Sequence, residues 1–455
     1  MTATATTELP TTATALRALA KELGLKGLST AKKDALVPTI TEELERTLPA
    51  EGAGPGIAPF LSGGPSPRTP TLRWSLRGAM VALGRSRLVD LGWAGVCGRR
   101  LVRHGLTPGS GLHDPAGAAA AMCGAHAQVL SAAELSIGLR VADVTRASAQ
   151  EALVKTFGPR GTVHLLAAKD LALWCGALSA IPPLNQRPPG MRLTPDQTDE
   201  LVAAIEEILA GAELTVDELT AALAERVGPW AVDLVMPAFQ TMWPRWRQVT
   251  VLAAHRGVLC FGANKGRSVT YTNPGLTPAP AEEATHWLLD SYLRSYGPAT
   301  PQHFARWLAA PPGWARDLFE AHDLTEVSVE GARTWVAAGD DEPGEPARGV
   351  LLLPHFDAFV VGSQPRELLF PGAAWDRALA RGQAGNFPVL VIDGVVAGVW
   401  HQKKSTSKVA ITVEPLRALT SRERKGLDAR VERVGEILQV RPDLTVGPIS
   451  VGAHA

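Results

Sequence analysis

The chain has few of the features that mark secreted, zinc-binding or membrane-spanning proteins. It contains four cysteines in 455 residues and no C-x-x-C pair, which excludes a dense disulfide framework and argues against a structural zinc site. No segment approaches the roughly 18 consecutive apolar residues of a membrane-spanning helix. The N-terminus lacks the basic start and apolar run of a signal peptide, so we expect a cytoplasmic protein that binds no metal.

Neither sign of charge is in excess, because 45 Lys and Arg residues balance 45 Asp and Glu residues. Acidic residues are nevertheless absent from one long segment, residues 234–281. A local basic face predicts phosphate binding better than the charge of the whole chain does, so we expect this segment to contact nucleic acid. The alternative is that its cations are solvated or ion-paired surface. The predicted phosphate contacts are Arg245, Arg247, Arg256, Lys265 and Arg267.

The first 72 residues differ in composition from the rest. Residues 1–15 are rich in Thr and Ala and are predicted to be disordered, whereas residues 51–72 are dense in Gly, Pro and Ser and form a linker. Between them, residues 16–50 show the apolar spacing and the helix-breaking glycines of a two-helix module. Its string LRALAKELGLKGLSTAKKDAL resembles SAP-like or Rho-N-terminal-type modules, which often bind nucleic acid. A solvated, charged helical hairpin is the alternative.

The remaining chain repeats one design, in which helices are followed by a β-hairpin, as in a winged helix. In the second repeat, Thr215 and Glu218 form a capping box at a helix start, WPRWRQVTVLAAHRG is predicted to be the next helix, and a hairpin turns at residues 263–266. In the third repeat an amphipathic helix precedes a helix capped by Thr300, and a third helix and a hairpin follow. The last part is predicted to be rich in strands, with a turn at Asp393-Gly394, and closes with a helix at residues 419–438. Its strand-like runs are VLLLPHFDAFVVG, FPVLVIDGVVAGVW and SKVAITVEPL. We therefore predict an α+β fold of three tandem winged helices and a β-rich, barrel-like C-terminal domain. The predicted domains are residues 73–200, 201–277, 278–347 and 348–455.

The first of these repeats carries basic residues that would face a duplex backbone. Arg99, Arg100 and Arg103 share one predicted helix, and a hairpin that turns at residues 158–161 places Arg160 at its tip. We predict that these four side chains bind DNA phosphates. For each of them a purely structural role on an ion-paired surface is the alternative.

The most informative stretch is AAMCGAHAQVLSAAEL, residues 120–135. Gly124 is placed to end one helix, and Ser131 and Glu134 have the spacing of a capping box that starts the next. Residues 125–130 are therefore predicted to be a short connector without helical structure. Polar residues before a helix are often only caps or solvated loop, and that interpretation is the alternative to a functional one.

His126 and Gln128 are the predicted catalytic residues of this connector. In an extended segment the side chains at positions i and i+2 point the same way, whereas in a helix they diverge by about 200°. His126 and Gln128 can therefore act on one small target. Weaker active-site assignments fall on His164, whose alternative is a hydrogen-bonded strand histidine, and on Asp357, whose alternative is to order the loop after a buried strand. Trp243 is more typical of a core residue than of a base-stacking platform, as is Trp246.

Several separated motifs resemble those of the AlkZ/YcaQ-type tandem winged-helix DNA glycosylases. The resemblance covers about residues 90–440 and excludes residues 1–72. It implies a C-shaped protein that encloses DNA and removes alkylated purines, in DNA crosslink repair or in self-resistance to a genotoxin. The motifs are TFGPRGTVHLLAAKDLALW, HRGVLCFG, YLRSYGPATPQHFARWL, LLLPHFDAFVVG and VLVIDGVVAGVW.

The resemblance also implies a catalytic motif, Gln-x-Gln or Gln-x-Asp, on the connector. Here Gln128 matches the second position, and His126 replaces the first glutamine. The activity so implied is that of a monofunctional glycosylase acting on bulky or crosslinked N7-alkylated purines. The alternative is a non-catalytic winged-helix regulator or adduct-sequestering protein. We further expect double-stranded DNA as partner, no cofactor, no membrane contact, a monomer and association with the nucleoid.

The chemistry needs little from the protein, because a purine alkylated at N7 is cationic and leaves without an acid. What remains is to position water and to stabilise the positive charge that develops on the deoxyribose. The amide oxygen of Gln128 can accept a hydrogen bond from water, and neutral His126 can accept the proton of that water. From an unperturbed pKa near 6.5 we expect base release to fall below about pH 6, because imidazolium would repel the sugar cation.

Overall fold

The computed structural model describes residues 88–109, 111–183, 191–238 and 241–453. The predicted disordered tail, two-helix module and linker at residues 1–15, 16–50 and 51–72 lie outside the described residues. Within the described part, no helix is long and apolar enough to cross a membrane. The fold mixes α-helices with short β-sheets, as predicted.

The first repeat combines helices with a three-stranded sheet in the order β1-β3-β2. The predicted hairpin is confirmed: Leu153–Phe157 pairs antiparallel with Val163–Ala167 around a 3-10 turn at Pro159–Gly161. Its elements are α1 (Trp93–Arg103), α2 (Pro115–Ala121), β1 (Ala125–His126), α3 (Leu130–Gly138), β2 (Leu153–Phe157), β3 (Val163–Ala167) and α4 (Leu171–Ser179).

The second repeat begins with two capped helices, and the predicted capping box of Thr215 and Glu218 is present with both hydrogen bonds. Its core packs these helices around Trp246, which is fully buried. Its elements are α5 (Pro195–Leu209), β4 (Leu214–Thr215), α6 (Val216–Arg226), β5 (Leu234–Pro237), β6 (Met242–Pro244), α7 (Thr250–His255), β7 (Cys260–Phe261) and β8 (Thr270–Thr272).

Two local predictions for this repeat are wrong. The segment before α7 is not continuous α-helix, because strand β6 ends at Pro244, whose ring removes a backbone donor, and a 3-10 turn follows at Arg245–Val249. The hairpin turns at residues 265–268 rather than 263–266. There Gly266 takes a φ of 63°, which suits glycine best.

The third repeat follows the prediction closely. A long helix precedes a second one capped by Thr300, whose side chain accepts a hydrogen bond from the His303 amide. A third helix and an antiparallel hairpin complete it. All three repeats thus contain helices followed by a hairpin, the observation on which the prediction of winged helices depends. Its elements are α8 (Ala281–Tyr296), α9 (Pro301–Leu308), α10 (Pro312–Ala321), β9 (Leu324–Val329) and β10 (Ala332–Ala337).

The C-terminal region is a five-stranded sheet, in the order β11-β12-β13-β14-β15, with helices on both faces. Strands β11 and β15 are its two edges, so the sheet is an open half-barrel. The first four strands pair antiparallel, and β15 pairs parallel with β14. Its elements are β11 (Val350–Leu353), α11 (Ala358–Gly362), α12 (Arg366–Leu369), α13 (Ala373–Ala378), β12 (Val389–Ile392), β13 (Val395–Lys404), β14 (Lys408–Pro415), α14 (Ser421–Leu438) and β15 (Arg441–Val446).

Two expectations for this region are corrected. The run DAFVVG is helix α11 and not a strand, because the Asp357 side chain accepts a hydrogen bond from the Phe359 amide and starts the helix. Helix α14 does not close the chain, since β15 follows it. Gln439, with a φ of 54°, ends α14 and allows the chain to turn back toward the sheet.

The sheet also fixes the helix that follows the connector. Leu135 of α3 belongs to the apolar cluster between the sheet and α14. Arg433 of α14 donates hydrogen bonds to the carbonyls of Gly138 and Val141, at the end of α3. Because α3 is held at its core face and at its C-terminus, the connector at its N-terminus has a fixed position.

Candidate active site

The connector places His126 and Gln128 on one cavity. Strand β1 sets His126 opposite His164 of β3, and the Ala127 amide donates to the Val163 carbonyl at 2.7 Å. Ala127 is buried in the core between them, whereas His126 and Gln128 both line a cavity of about 570 Å³. The expectation that these two side chains address one space is therefore confirmed in geometry.

The helix boundaries around the connector differ from the prediction. Helix α3 begins at Leu130 after Val129, so Ser131 lies inside the helix and caps nothing. Glu134 is buried and binds Arg146 and Gln150, an ion pair and a hydrogen bond that replace the expected contact with the helix N-terminus. A glutamate that gains charged and polar partners in the interior is better satisfied there than at a solvated cap.

Helix α2 ends one residue earlier than Gly124 was expected to end it. The Cys123 amide donates to the Ala120 carbonyl and the Gly124 amide to the Ala119 carbonyl, which is a Schellman motif. Gly124 has a φ of 92°, and a Cβ there would lie 2.6 Å from the Leu166 side chain. Glycine is therefore required where the chain leaves α2 and enters β1.

The His126 ring is held between two aromatic rings. The His164 ring lies edge-on, with centroids 5.0 Å apart, and the Phe356 ring lies tilted at 4.7 Å. Phe356 has a φ of 55°, a strained conformation for an aromatic residue and one that concentrates at functional sites. Its amide donates to the carbonyl of Gly385. The sequence did not mark Phe356 as a site residue, although Phe356 precedes Asp357 in the motif LLLPHFDAFVVG.

Burial, and then the charge of Arg160, lowers the pKa of His126 to about 4. Burial also lowers the pKa of His164 well below its ordinary value. Both imidazoles are therefore neutral at pH 7. The expectation that base release falls below about pH 6 used the pKa of a solvated histidine, and the lower pKa of His126 moves the expected fall to more acidic pH. The Nδ1–H group of His164 donates a hydrogen bond at 2.8 Å to the Thr162 carbonyl, which is the structural alternative stated for it.

Arg160 lies at the cavity and not on an outward-facing tip. The residue has a φ of 62°, and its guanidinium donates to the Trp307 carbonyl at 2.6 Å. Three more cationic or titratable side chains that the sequence did not single out line the same cavity, and they come from α9 and the start of α12. Two of them lie in the motif YLRSYGPATPQHFARWL, but nothing in that motif shows that they line this cavity, because only the fold brings these segments together. They are His303, Arg306 and Arg366.

The assignment of Asp357 to the active site is not supported by its contacts. Its side chain is fully buried and makes a two-bond ion pair with Arg140, at 2.8 Å for each bond, and accepts from the Ser136 hydroxyl at 2.7 Å. Although burial alone would raise the pKa of Asp357, the charge and hydrogen bonds of Arg140 hold it below its ordinary value. Asp357 therefore orders the loop after β11, its structural alternative.

The three arginines of α1 donate hydrogen bonds to other segments of the fold and do not form an exposed basic face. Arg100 is 1% exposed and donates to the carbonyls of Gly297 and Pro298. Arg99 is also buried and binds the carbonyls of Glu342 and Asp340, and Arg103 binds the Asp340 carboxylate. The sequence of α1 does not reveal that these arginines are buried, because the loops that supply the carbonyls are almost 200 residues or more distant in sequence.

The basic segment of the second repeat is partly neutralised by acids from outside it. Arg245 pairs with Asp233, Arg256 with Asp199 and Lys265 with Glu218. The pairs of Arg256 and Lys265 are exposed, so they are weak and leave these two cations as predicted phosphate contacts. The Arg245 side chain is only 19% exposed and also donates to the Trp230 carbonyl, so its contacts are those of the structural alternative. Arg267 is exposed in the hairpin turn.

The tryptophans of that segment divide between core and surface. Trp246 is buried and donates to the Thr220 hydroxyl, as expected of a core residue. Trp243 is 37% exposed, and the Arg247 guanidinium lies over its ring at 4.0 Å. The stacking keeps the Arg247 charge near the surface of the hairpin.

Comparison with known proteins gives a consistent result. Residues 119–437 match the family described as DNA glycosylase AlkZ-like. The interstrand DNA cross-link repair glycosylase of Streptomyces sahachiroi is 34% identical over 307 residues, which are 62% of this chain and 80% of that protein. The solved structure of the Streptomyces sahachiroi DNA glycosylase AlkZ superposes with a TM-score of 0.65 at 28% identity, over 79% of this chain and all of that one. The protein belongs to the AlkZ-like family of DNA glycosylases.

Proposed function

We propose that the protein is a monofunctional DNA glycosylase that hydrolyses the N-glycosidic bond of bulky or crosslinked N7-alkylated purines. The observation that carries this proposal is a neutral imidazole and a carboxamide, His126 and Gln128, on one cavity in a member of this family. The name of the similar Streptomyces protein supports interstrand crosslinks as substrates. The proposal includes a monomer that acts on double-stranded DNA in the nucleoid without a cofactor.

The reaction begins with departure of a cationic base. As the glycosidic bond breaks, its electron pair neutralises the alkylated purine, and positive charge moves to the deoxyribose. No group has to protonate the base. The protein must hold a water molecule against C1′ and accept the proton that this water loses after attack.

His126 suits the task of accepting the proton from water because it stays neutral. Its pKa of about 4 makes it a weak base, but water that has attacked the sugar cation is strongly acidic and transfers its proton readily. A higher pKa would place imidazolium beside the developing sugar cation and raise the barrier. Burial, the larger cause of the low pKa, therefore favours the reaction by keeping His126 uncharged.

Gln128 supplies an oxygen that can hold the water or face the sugar. Its side chain is exposed at the cavity, where a nucleotide could reach it. An amide carries no charge, so it orients water at any pH without titrating.

The composition of the cavity supports hydrolysis without a second, strand-cleaving step. Strand cleavage by glycosylases of the Schiff-base type needs an amine nucleophile. Among the described residues that line this cavity there is no lysine. Nor do the described residues contain a cluster of three His, Cys, Asp or Glu side chains placed to hold a metal.

The test uses duplex DNA with a single N7-alkylguanine, incubated with purified protein and then treated with alkali to cleave abasic sites. We expect alkali-dependent scission, lost in His126→Ala and in Gln128→Ala. His113→Ala is the matched control, because His113 is an exposed histidine away from the cavity, and we expect it to retain full activity.

Three outcomes of this assay would oppose the proposal. Scission without alkali would contradict the monofunctional assignment. Tight binding of the adduct with no base release would favour the regulator or sequestering protein instead. Equal scission of a neutral, unalkylated purine would contradict the role of the cationic leaving group.

A further inference from the structure

Three arginines converge on the cavity from three separate parts of the fold. Arg160 comes from the hairpin turn of the first repeat, Arg306 from α9 and Arg366 from the start of α12. All three line the cavity that also contains His126 and Gln128. The sequence separations, more than 50 residues in each case, show that this cluster is a product of the tertiary structure.

These arginines have no carboxylate partner among the residues that the structure describes. Arg160 donates to the Trp307 carbonyl and Arg366 to the Val361 carbonyl, both neutral acceptors. The ion pairs within the described ranges include none of the three. Glu367, the carboxylate that lines the cavity, is exposed and makes no ion pair with them at 4 Å or less.

The cluster is electrostatically costly without a ligand. Burial, followed by the charges of Arg306 and Arg160, lowers the pKa of Arg366 to about 10. Burial also lowers the pKa of Arg160. Desolvated like charges of this kind are stabilised when an anion lies among them, and the guanidinium fork matches the oxygens of a phosphate.

The proposed substrate sharpens the choice of anion. A cationic N7-alkylpurine is repelled by three guanidinium groups, so the base itself cannot occupy their part of the cavity. A backbone phosphodiester next to the target nucleotide carries the opposite charge and is covalently tied to the same deoxyribose. Bound there, it would also place negative charge near the sugar cation as that cation forms.

We propose that Arg160, Arg306 and Arg366 form a phosphate site that binds the phosphodiester flanking the target nucleotide and thereby positions C1′ against His126 and Gln128. This inference rests on the proposed glycosylase function. The three arginines are positioning residues, since none of them takes part in the transfer of a proton or of water.

The experiment pairs protein variants with DNA in which one flanking phosphate is a neutral methylphosphonate. Arg306 is the residue to change, because it is exposed and its side chain donates no hydrogen bond to the part of the chain that the structure describes. Arg316→Ala is the matched control, an exposed arginine on α10 that does not line the cavity. Full-length protein is used, and circular dichroism and thermal unfolding establish that each variant is folded.

We expect Arg306→Ala to weaken adduct-DNA binding by about 10- to 100-fold, the range for a lost charged hydrogen bond, with a smaller effect on the maximal single-turnover rate. Arg306→Lys should recover part of this loss, because the charge remains. The salt dependence of binding should become shallower by about one phosphate contact in Arg306→Ala. Arg316→Ala should leave both quantities unchanged.

The decisive result is non-additivity. If Arg306 binds the flanking phosphate together with Arg160 and Arg366, methylphosphonate weakens binding by the wild type by a larger factor than it weakens binding by Arg306→Ala, which has already lost one of the three contacts. The phosphate site would be overturned if the variant and the methylphosphonate weakened binding independently, so that their factors multiply. It would also be overturned if Arg306→Ala bound the adduct DNA as tightly as the wild type does. Should the wild type release no base from any adduct, the glycosylase proposal fails by itself. The same binding measurements would still decide the phosphate site, with coupled losses supporting it and independent losses overturning it.

Discussion

The low pKa of His126 predicts a flat pH profile where a solvated histidine would give a steep one. Burial, and then the charge of Arg160, lowers this pKa to about 4. At pH 5.5 about 97% of such a histidine is neutral, against about 9% for one with a pKa of about 6.5. Between pH 8 and pH 5.5 we therefore expect the single-turnover rate of base release to stay within about 10% of its maximum, instead of falling about tenfold.

The assay follows base release from duplex with one stable N7-alkylguanine under enzyme excess, after subtraction of uncatalysed release at each pH. Replacing Arg160 with glutamine removes the second cause of the low pKa, so the acidic decline of the Arg160→Gln variant should begin at higher pH. Only the midpoint is compared, because Arg160 also lines the cavity and its loss should slow the reaction. A wild-type rate that falls with a midpoint near 6.5 would refute the reasoning.

Three further predictions concern stability. Asp357→Ala leaves the Arg140 guanidinium buried without its partner, so a urea titration should show a free energy of unfolding lower by about 3–5 kcal/mol. Unchanged stability together with lost base release would instead restore a catalytic role for Asp357. Gly385→Ala should lower the melting temperature, because Gly385 has a φ of 95° and a Cβ there would lie 2.9 Å from the Val361 side chain and 3.0 Å from the Phe356 side chain. A melting temperature equal to that of the wild type would contradict the fixed placement of Phe356. Four histidines have folded pKa values of about 3 to 4, below the unfolded value near 6.5, so the free energy of unfolding should be at its full value above pH 6.5 and should fall steadily on acidification below that pH. Unfolding that does not depend on pH would contradict the burial of these histidines as neutral groups. These are His104, His126, His255 and His303.

Local elements were predictable where one strong signal acts over a few residues. The capping residues Thr215 and Thr300 start the helices expected of them, and the turn at Asp393 and Gly394 joins β12 and β13 as expected. The His126-Ala127-Gln128 spacing also predicted a shared direction, because alternation along an extended segment is a local property.

The errors arose where distant partners decide the outcome. Glu134 has the spacing of a capping residue, but Arg146 and Gln150 bind it in the interior. Arg100 looks like a surface cation in sequence, yet carbonyls almost 200 residues away bind it inside the fold. Such contacts leave no periodic trace in the sequence.

The same limit applies to the candidate site. Arg306 and Arg366 join His126 only through the packing of α9 and α12 around the cavity. The shift in the pKa of His126 also depends on that packing, because its causes are burial and Arg160. Residue types and spacing led to the proposal that His126 and Gln128 are catalytic, and the tertiary structure determines the neighbours of these side chains and the direction in which the pKa of His126 is shifted.

The central claim is that an alkylated nucleotide enters the cavity of His126 and Gln128 and loses its base there. The most direct test is a crystal structure of the His126→Ala variant with duplex DNA that carries one N7-alkylguanine. We predict that C1′ of the adducted nucleotide lies at this cavity, with a water or the Gln128 amide oxygen within hydrogen-bond reach of the sugar. A duplex bound across another face, with the adduct outside the cavity and Gln128 open to solvent, would contradict the account.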